Sequence, residues 1–167
     1  MTLAESVRLS LAHSSWAIAQ LLSHARRLTD EQFNQDLGIG PGSLRVNIFH
    51  VIEAMFFFAD CFAERPWTER PNLHSDSTSI DGLARLLDQA TRDLGDAMTS
   101  AIARGLPDSL AWASSNSGRA SGAVAIAQVF DHATLHRTQC IHMLKRLGVS
   151  PLPDLDPLSF EAAGLPR

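Results

Sequence analysis

At 167 residues the chain has the length of one domain, and a domain of that size buries about two-thirds of the surface its unfolded chain exposes, so neither a metal nor a disulfide is needed merely to fold it. Apolar residues make up 45% of the chain and charged residues 19%, a globular balance that excludes disorder. A formal net charge of -4 without a polybasic run leaves a nucleic-acid partner without electrostatic support, and no apolar run reaches the ~18 residues of a membrane span.

Thr2-Leu3-Ala4-Glu5 is a capping box that starts a helix at the N-terminus, and Val7, Leu11, Ile18, Leu21, Ala25 and Leu28 carry its apolar stripe to about Leu28. The segment lacks the basic region of a signal peptide, and its apolar positions keep helical spacing. His13 and His24 fall at the edge of the stripe as solvated histidines. Trp16 lies opposite it, which calls for cover by a loop or another subunit. A second capping box, Thr29-Asp30-Glu31-Gln32, opens a short turn, and Gly38-Ile39-Gly40-Pro41-Gly42 is a loop.

Ser43 starts a second long helix with Leu44, Ile48, Val51, Met55, Phe58 and Phe62 on one stripe. Ile52, Phe56 and Phe57 make it apolar nearly all round, so it is central or lies at an interface. Three successive phenylalanines cannot all face one core, and the expected covers for the remaining ring are the linker, the C-terminal tail or a second subunit in a homodimer. Pro66 ends the helix, and a polar linker follows to about Ser77. A third helix begins near Ser79 with Leu83, Leu87, Ala90, Leu94, Ala97 and Ala101 inward. Residues 107–118, with Leu110 and Trp112 in alternation, suggest a short extended crossover.

A fourth helix spans residues 121–147 and stops at Gly148 with Pro151 behind it. The proline-rich tail from Pro151 is expected to wrap the bundle as extended chain with at most one short helix near residues 159–163. The two cysteines, Cys61 and Cys140, fall inside predicted helices without C-x-x-C spacing and fit reduced core thiols of a cytoplasmic protein. The sum is an all-α fold, a four-helix bundle with one or two longer crossover connections, as a single domain over residues 1–167.

His132 and His136, four residues apart on the fourth helix, project from one face about a turn apart, in line with Val129, Ala133, Cys140, Leu144 and Leu147. A buried imidazole needs a partner, which a hydrogen bond or a metal ion can supply. A metal needs further ligands, and His50, two turns into the second helix among apolar residues, is the candidate; taken alone such a residue is more often a hydrogen-bonded core histidine.

Three segments, Gly42-Ser43-Leu44-Arg45-Val46-Asn47-Ile48-Phe49-His50-Val51-Ile52-Glu53, Asp131-His132-Ala133-Thr134-Leu135-His136-Arg137-Thr138-Gln139, and Gly148-Val149-Ser150-Pro151 with Asp154 or Asp156 beyond, carry a resemblance to a known family. The chain resembles the DinB/YfiT-like family of metalloenzymes, the second segment being similar to that family's N-H-x-x-x-H-R-G-Q. The resemblance implies a four-helix bundle with one divalent metal, zinc or nickel, on His50, His132 and His136. Asp131 stands where the family often has asparagine, adding negative charge beside the metal or making a contact to its ligands. Thr138 stands where the family has glycine.

Three neutral ligands leave coordination positions open, as in catalytic zinc sites, and the uncompensated double charge favours ionisation of a thiol or water. Ala133, Thr134 and Leu135 fill the gap between the histidines, where a zinc protease helix would carry its glutamate base. Glu53, one turn after His50, is the candidate base or imidazole-orienting carboxylate, with a surface role as the alternative. Arg137 and Gln139 are expected to bind neighbouring carboxylates or backbone, and Cys140 to be core and not a fourth ligand. The open coordination face is expected to be lined from residues 35–46, 66–77 and 107–120.

The resemblance points to a thiol S-transferase using glutathione, bacillithiol or mycothiol, or to a hydrolase, acting on a small-molecule substrate. The alternative is a non-catalytic, stress-related metal or small-ligand binding protein with the same bundle.

Overall fold

A computed structural model describes residues 1–111 and 119–164; Trp112 lies outside them. Four long helices, α1 (Leu3–Ala25), α3 (Leu44–Phe62), α5 (Ile80–Ala103) and α6 (Gly122–Arg146), form the all-α bundle. α1 and α3 each pack against both α5 and α6, so α1 and α3 face each other across the bundle. The connections carry the short helices α2 (Asp30–Asn34) and α4 (Leu73–Asp76) and a two-stranded antiparallel ribbon, β1 (Leu110–Ala111) with β2 (Arg119–Ala120). α7 (Pro157–Ala162) lies in the tail and packs on α1.

Local chemistry sets the helix starts. Thr2 and Thr29 form complete capping boxes with Glu5 and Gln32, and the hydroxyls of Ser43, Ser79 and Ser121 accept from Val46, Gly82 and Val124 N–H. α6 ends where Gly148, at φ +80°, lets the Val149 N–H reach the Leu144 carbonyl at 3.0 Å. α1 stops at Ala25, three residues short of the expected end, because Thr29 must turn extended (ψ 162°) to cap α2. Leu28 still packs against the core, from the turn between the two helices.

The core follows the stripes closely. Phe56, Phe62, Ile52, Ile18, Leu21 and Leu94 are fully buried. On α5 the inward face is wider than one stripe: Leu86 and Met98 are buried and Ala97 is only half-buried, since this helix packs between α1 and α3.

The ring left over from the phenylalanine run is Phe57, which is half-buried. It lies 6.4 Å, between centroids, from Trp67 of the linker after α3, which gives the ring part of its cover. That linker is pinned by a buried ion pair that no local motif predicts. Arg70 donates to both oxygens of Asp60 at 2.6 and 3.0 Å, with Arg65 and the Thr68 N–H adding bonds at 2.6 and 3.0 Å. Asp60 and Arg70 are both buried, and the Arg70 guanidinium stacks over Phe56 at 4.7 Å and Trp67 at 5.6 Å. Burial alone would raise the Asp60 carboxyl; Arg70, the Thr68 N–H and Arg65 outweigh it and hold the group below its ordinary value.

Trp16 is covered by the tail, where Phe160 of α7 lies 5.6 Å from it and 5.7 Å from His13. His13 is therefore not a free surface histidine. Its Nε2 bonds the Leu155 carbonyl at 2.8 Å.

Candidate metal centre

α6 presents His132 and His136 toward α3, which presents His50 between them. Ring centroids lie 5.0 Å apart for His50 and His132, 4.7 Å for His50 and His136, and 4.4 Å for His132 and His136. The Nε2 atoms of His50 and His132 are 3.1 Å apart, and one nitrogen from each ring lies within 4.8 Å of the others. Three imidazoles from two helices thus converge on one point and could hold a metal ion.

Two of the donors are held toward the neutral form. Burial, reinforced by His136 and His50, pushes His132 down to about 4, and burial together with His50 lowers His136 against a bond to Gln139. A neutral ring keeps a lone pair for a metal.

A buried amide fixes the tautomer of His136. Its Nδ1 lies 2.7 Å from Oδ1 of Asn47, which is fully buried one turn before His50. Asn47 donates its Nδ2 to Gln139 Oε1 at 3.1 Å and points it at the Met143 sulfur at 3.8 Å, so Oδ1 must accept and His136 must carry its proton on Nδ1. Nε2 is left as the free donor, the state in which a metal-binding histidine is held by an outer acceptor. Gly40 presses on this relay from the glycine loop: a Cβ there would stand 2.3 Å from Gln139 Oε1, and its φ is +52°. Sequence pattern alone assigns Asn47 no role, although an amide inside an otherwise apolar helix, one turn from a candidate ligand, is a usable signal.

The remaining residues fall as follows. Gln139 bonds the Asn47 amide, and Arg137, which is buried, donates to Ser14 at 2.7 Å and Thr134 at 2.9 Å; neither meets a carboxylate among the described residues. Burial lowers Arg137 from its usual value. Cys140 is buried beside the group without belonging to it, and burial pushes its thiol up to about 12. Asp131 is exposed and has no hydrogen bond to the three rings among the described residues.

A cleft of about 460 Å³ opens against His50 and His132, walled by Glu53, Ala54, Phe57, Phe58, Trp67 and Gln128, a size that suits a small organic ligand. Of the three connections expected to line the open face, only the linker after α3 does so among the described residues, through Trp67. The loop at 35–46 lies behind the histidines instead, because Gly40 packs on the Gln139–Asn47 relay.

A family model described as the DinB family matches residues 3–163, nearly the whole chain. The chain belongs to the DinB family. A comparison with curated proteins returns no match. The segments that carried the resemblance in this DinB chain are those that meet here: the loop and first turns of α3 bring Asn47, His50 and Glu53, and α6 brings His132, His136 and Gln139. No helix among the described residues is long and apolar enough to cross a membrane.

Proposed function

We propose that this DinB-family chain is a divalent-metal-dependent enzyme, with His50, His132 and His136 holding one zinc or nickel ion and a thiol S-transfer to a small electrophile as its reaction. The observation that carries this reading is the convergence of three imidazoles, two of which, His50 and His132, line an organic-ligand-sized cleft. A divalent ion on such a donor set supplies an uncompensated positive charge that lowers the pKa of a thiol or a water beside it. The protein's own part is positional: Asn47 holds the His136 ring with Nε2 free, and Phe57, Phe58 and Trp67 make the cleft walls apolar and exclude water.

A thiol is favoured over water as the nucleophile because it ionises near pKa ~8.5 against ~15.7 for water, so it needs far less help from a site without an obvious base. In the transfer the sulfur bonds to the electrophilic carbon as its C–Cl or epoxide C–O bond breaks; with a chloride the thiol proton passes to solvent alongside the departing chloride, and with an epoxide a proton returns to the opened oxygen, which stays on the neighbouring carbon as a hydroxyl. Glu53, the one carboxylate among the described residues of the cleft wall, would serve as base in the hydrolytic alternative.

The test is to incubate metal-loaded protein with glutathione, bacillithiol or mycothiol and a chlorinated or epoxide electrophile, and in parallel with ester, amide and lactone panels. Metal-dependent thiol adducts are expected. Ester, amide or lactone turnover with no adduct from any thiol would replace transfer by hydrolysis, and silence in every assay would make the protein a metal or small-ligand binder.

A further inference from the structure

We infer that the molecule taken into the cleft is an organic cation with an apolar or aromatic body, its ammonium received by Glu53 between the aromatic walls and its reacting end turned toward the histidines. The inference rests on reading this cleft as the substrate site. Among the described residues its walls combine three aromatic rings, from Phe57, Phe58 and Trp67, with one carboxylate and no lysine or arginine. Rings with a carboxylate are the chemistry that receives ammonium groups, since ring faces attract cations and the carboxylate supplies the counter-charge.

The Glu53 carboxylate is available for this. It is half-buried, and among the described residues it has no hydrogen bond or ion pair and stands outside the three-histidine group. The nearby basic residues are committed elsewhere: Arg70 to Asp60 and Asp93, Arg65 to Asp60, and Arg137 to the hydroxyls of Ser14 and Thr134. In the metal-free protein a ligand carboxylate entering the same space would face Glu53 with no basic side chain among the described wall residues to offset the repulsion. Gln128, at the cleft wall, adds an uncharged donor and acceptor. Trp67 is held in place by the buried Asp60–Arg70 pair, so this wall is set before a ligand arrives.

The test compares three probes of similar size: benzyltrimethylammonium, which has no lone pair and cannot ligate a metal, benzyl alcohol and phenylacetate. Binding is measured by calorimetry on zinc-loaded and on chelator-treated protein. Benzyltrimethylammonium is expected to bind the chelator-treated protein about tenfold tighter than phenylacetate. Glu53→Gln should abolish that preference while leaving benzyl alcohol binding and zinc stoichiometry unchanged, and Trp67→Ala should weaken the cation as well. Equal binding of the two charged probes, or a cation preference that survives Glu53→Gln, would overturn the inference. The zinc titration on the same samples keeps the two readings apart: a cation preference without zinc binding removes the metal reading alone, and zinc binding without a cation preference removes this one alone.

Discussion

Asn47 accepts from His136 across 2.7 Å, from a position one turn before His50 on the facing helix. One buried amide thus ties together the two helices that carry the three imidazoles. Because its other end is committed to Gln139 and Met143, it cannot turn over to suit a different tautomer. Replacing it with a leucine of similar size should lower zinc affinity by about 10- to 100-fold with little change in helix content. A chelator-competition titration showing wild-type affinity in Asn47→Leu would remove the orienting role.

Zinc stoichiometry should be close to one per chain and fall to near zero in His132→Ala or His136→Ala. His142, six residues beyond His136 and exposed, is the internal control. Elemental analysis in which His142→Ala lost metal as fully as His136→Ala would show that the group is misassigned.

The metal-free protein should lose stability in mild acid. Burial beside two other imidazoles holds His132 near 4 in the folded chain, against about 6.5 when unfolded. Between those values the unfolded state binds more protons, so this contribution is complete above the unfolded value and disappears as pH falls toward the folded one. Urea midpoints measured from pH 7 down to pH 4 on chelator-treated protein should decline, and His132→Asn should flatten the decline. A slope unchanged in that variant would assign the acid sensitivity to other groups.

Arg70→Met should cost about 3–5 kcal/mol, because it strands the buried Asp60 carboxylate. Replacing both partners by apolar residues should cost less than the single change. Denaturant titrations giving the double variant the lower stability would contradict this account of the pair.

What was legible in the sequence was local or periodic. The capping boxes at Thr2 and Thr29 need only neighbours within three residues, and His132 with His136 needs only the helical repeat. His50 became a partner through its place on a long apolar helix and the family pattern around it. Asp60 with Arg70 was illegible, because their pairing depends on how residues 63–72 cross the end of α3 and no repeat encodes that path. The lining of the cleft was misjudged for the same reason: the glycine loop looked free to cover the open face, and the close approach of Gly40 to Gln139 puts it on the opposite side.

The aromatic stack of Phe160 with His13 and Trp16 makes the tail a measurable part of the bundle. Indole emission responds to whether water reaches the ring, so Trp16 is a natural optical reporter of tail undocking once the other two tryptophans, Trp67 and Trp112, are replaced. A Phe160→Ala chain, read at Trp16 in a background carrying both Trp67→Phe and Trp112→Phe, should redden its emission at denaturant concentrations where helix content is still intact, and so reveal whether the tail peels away before the four helices part.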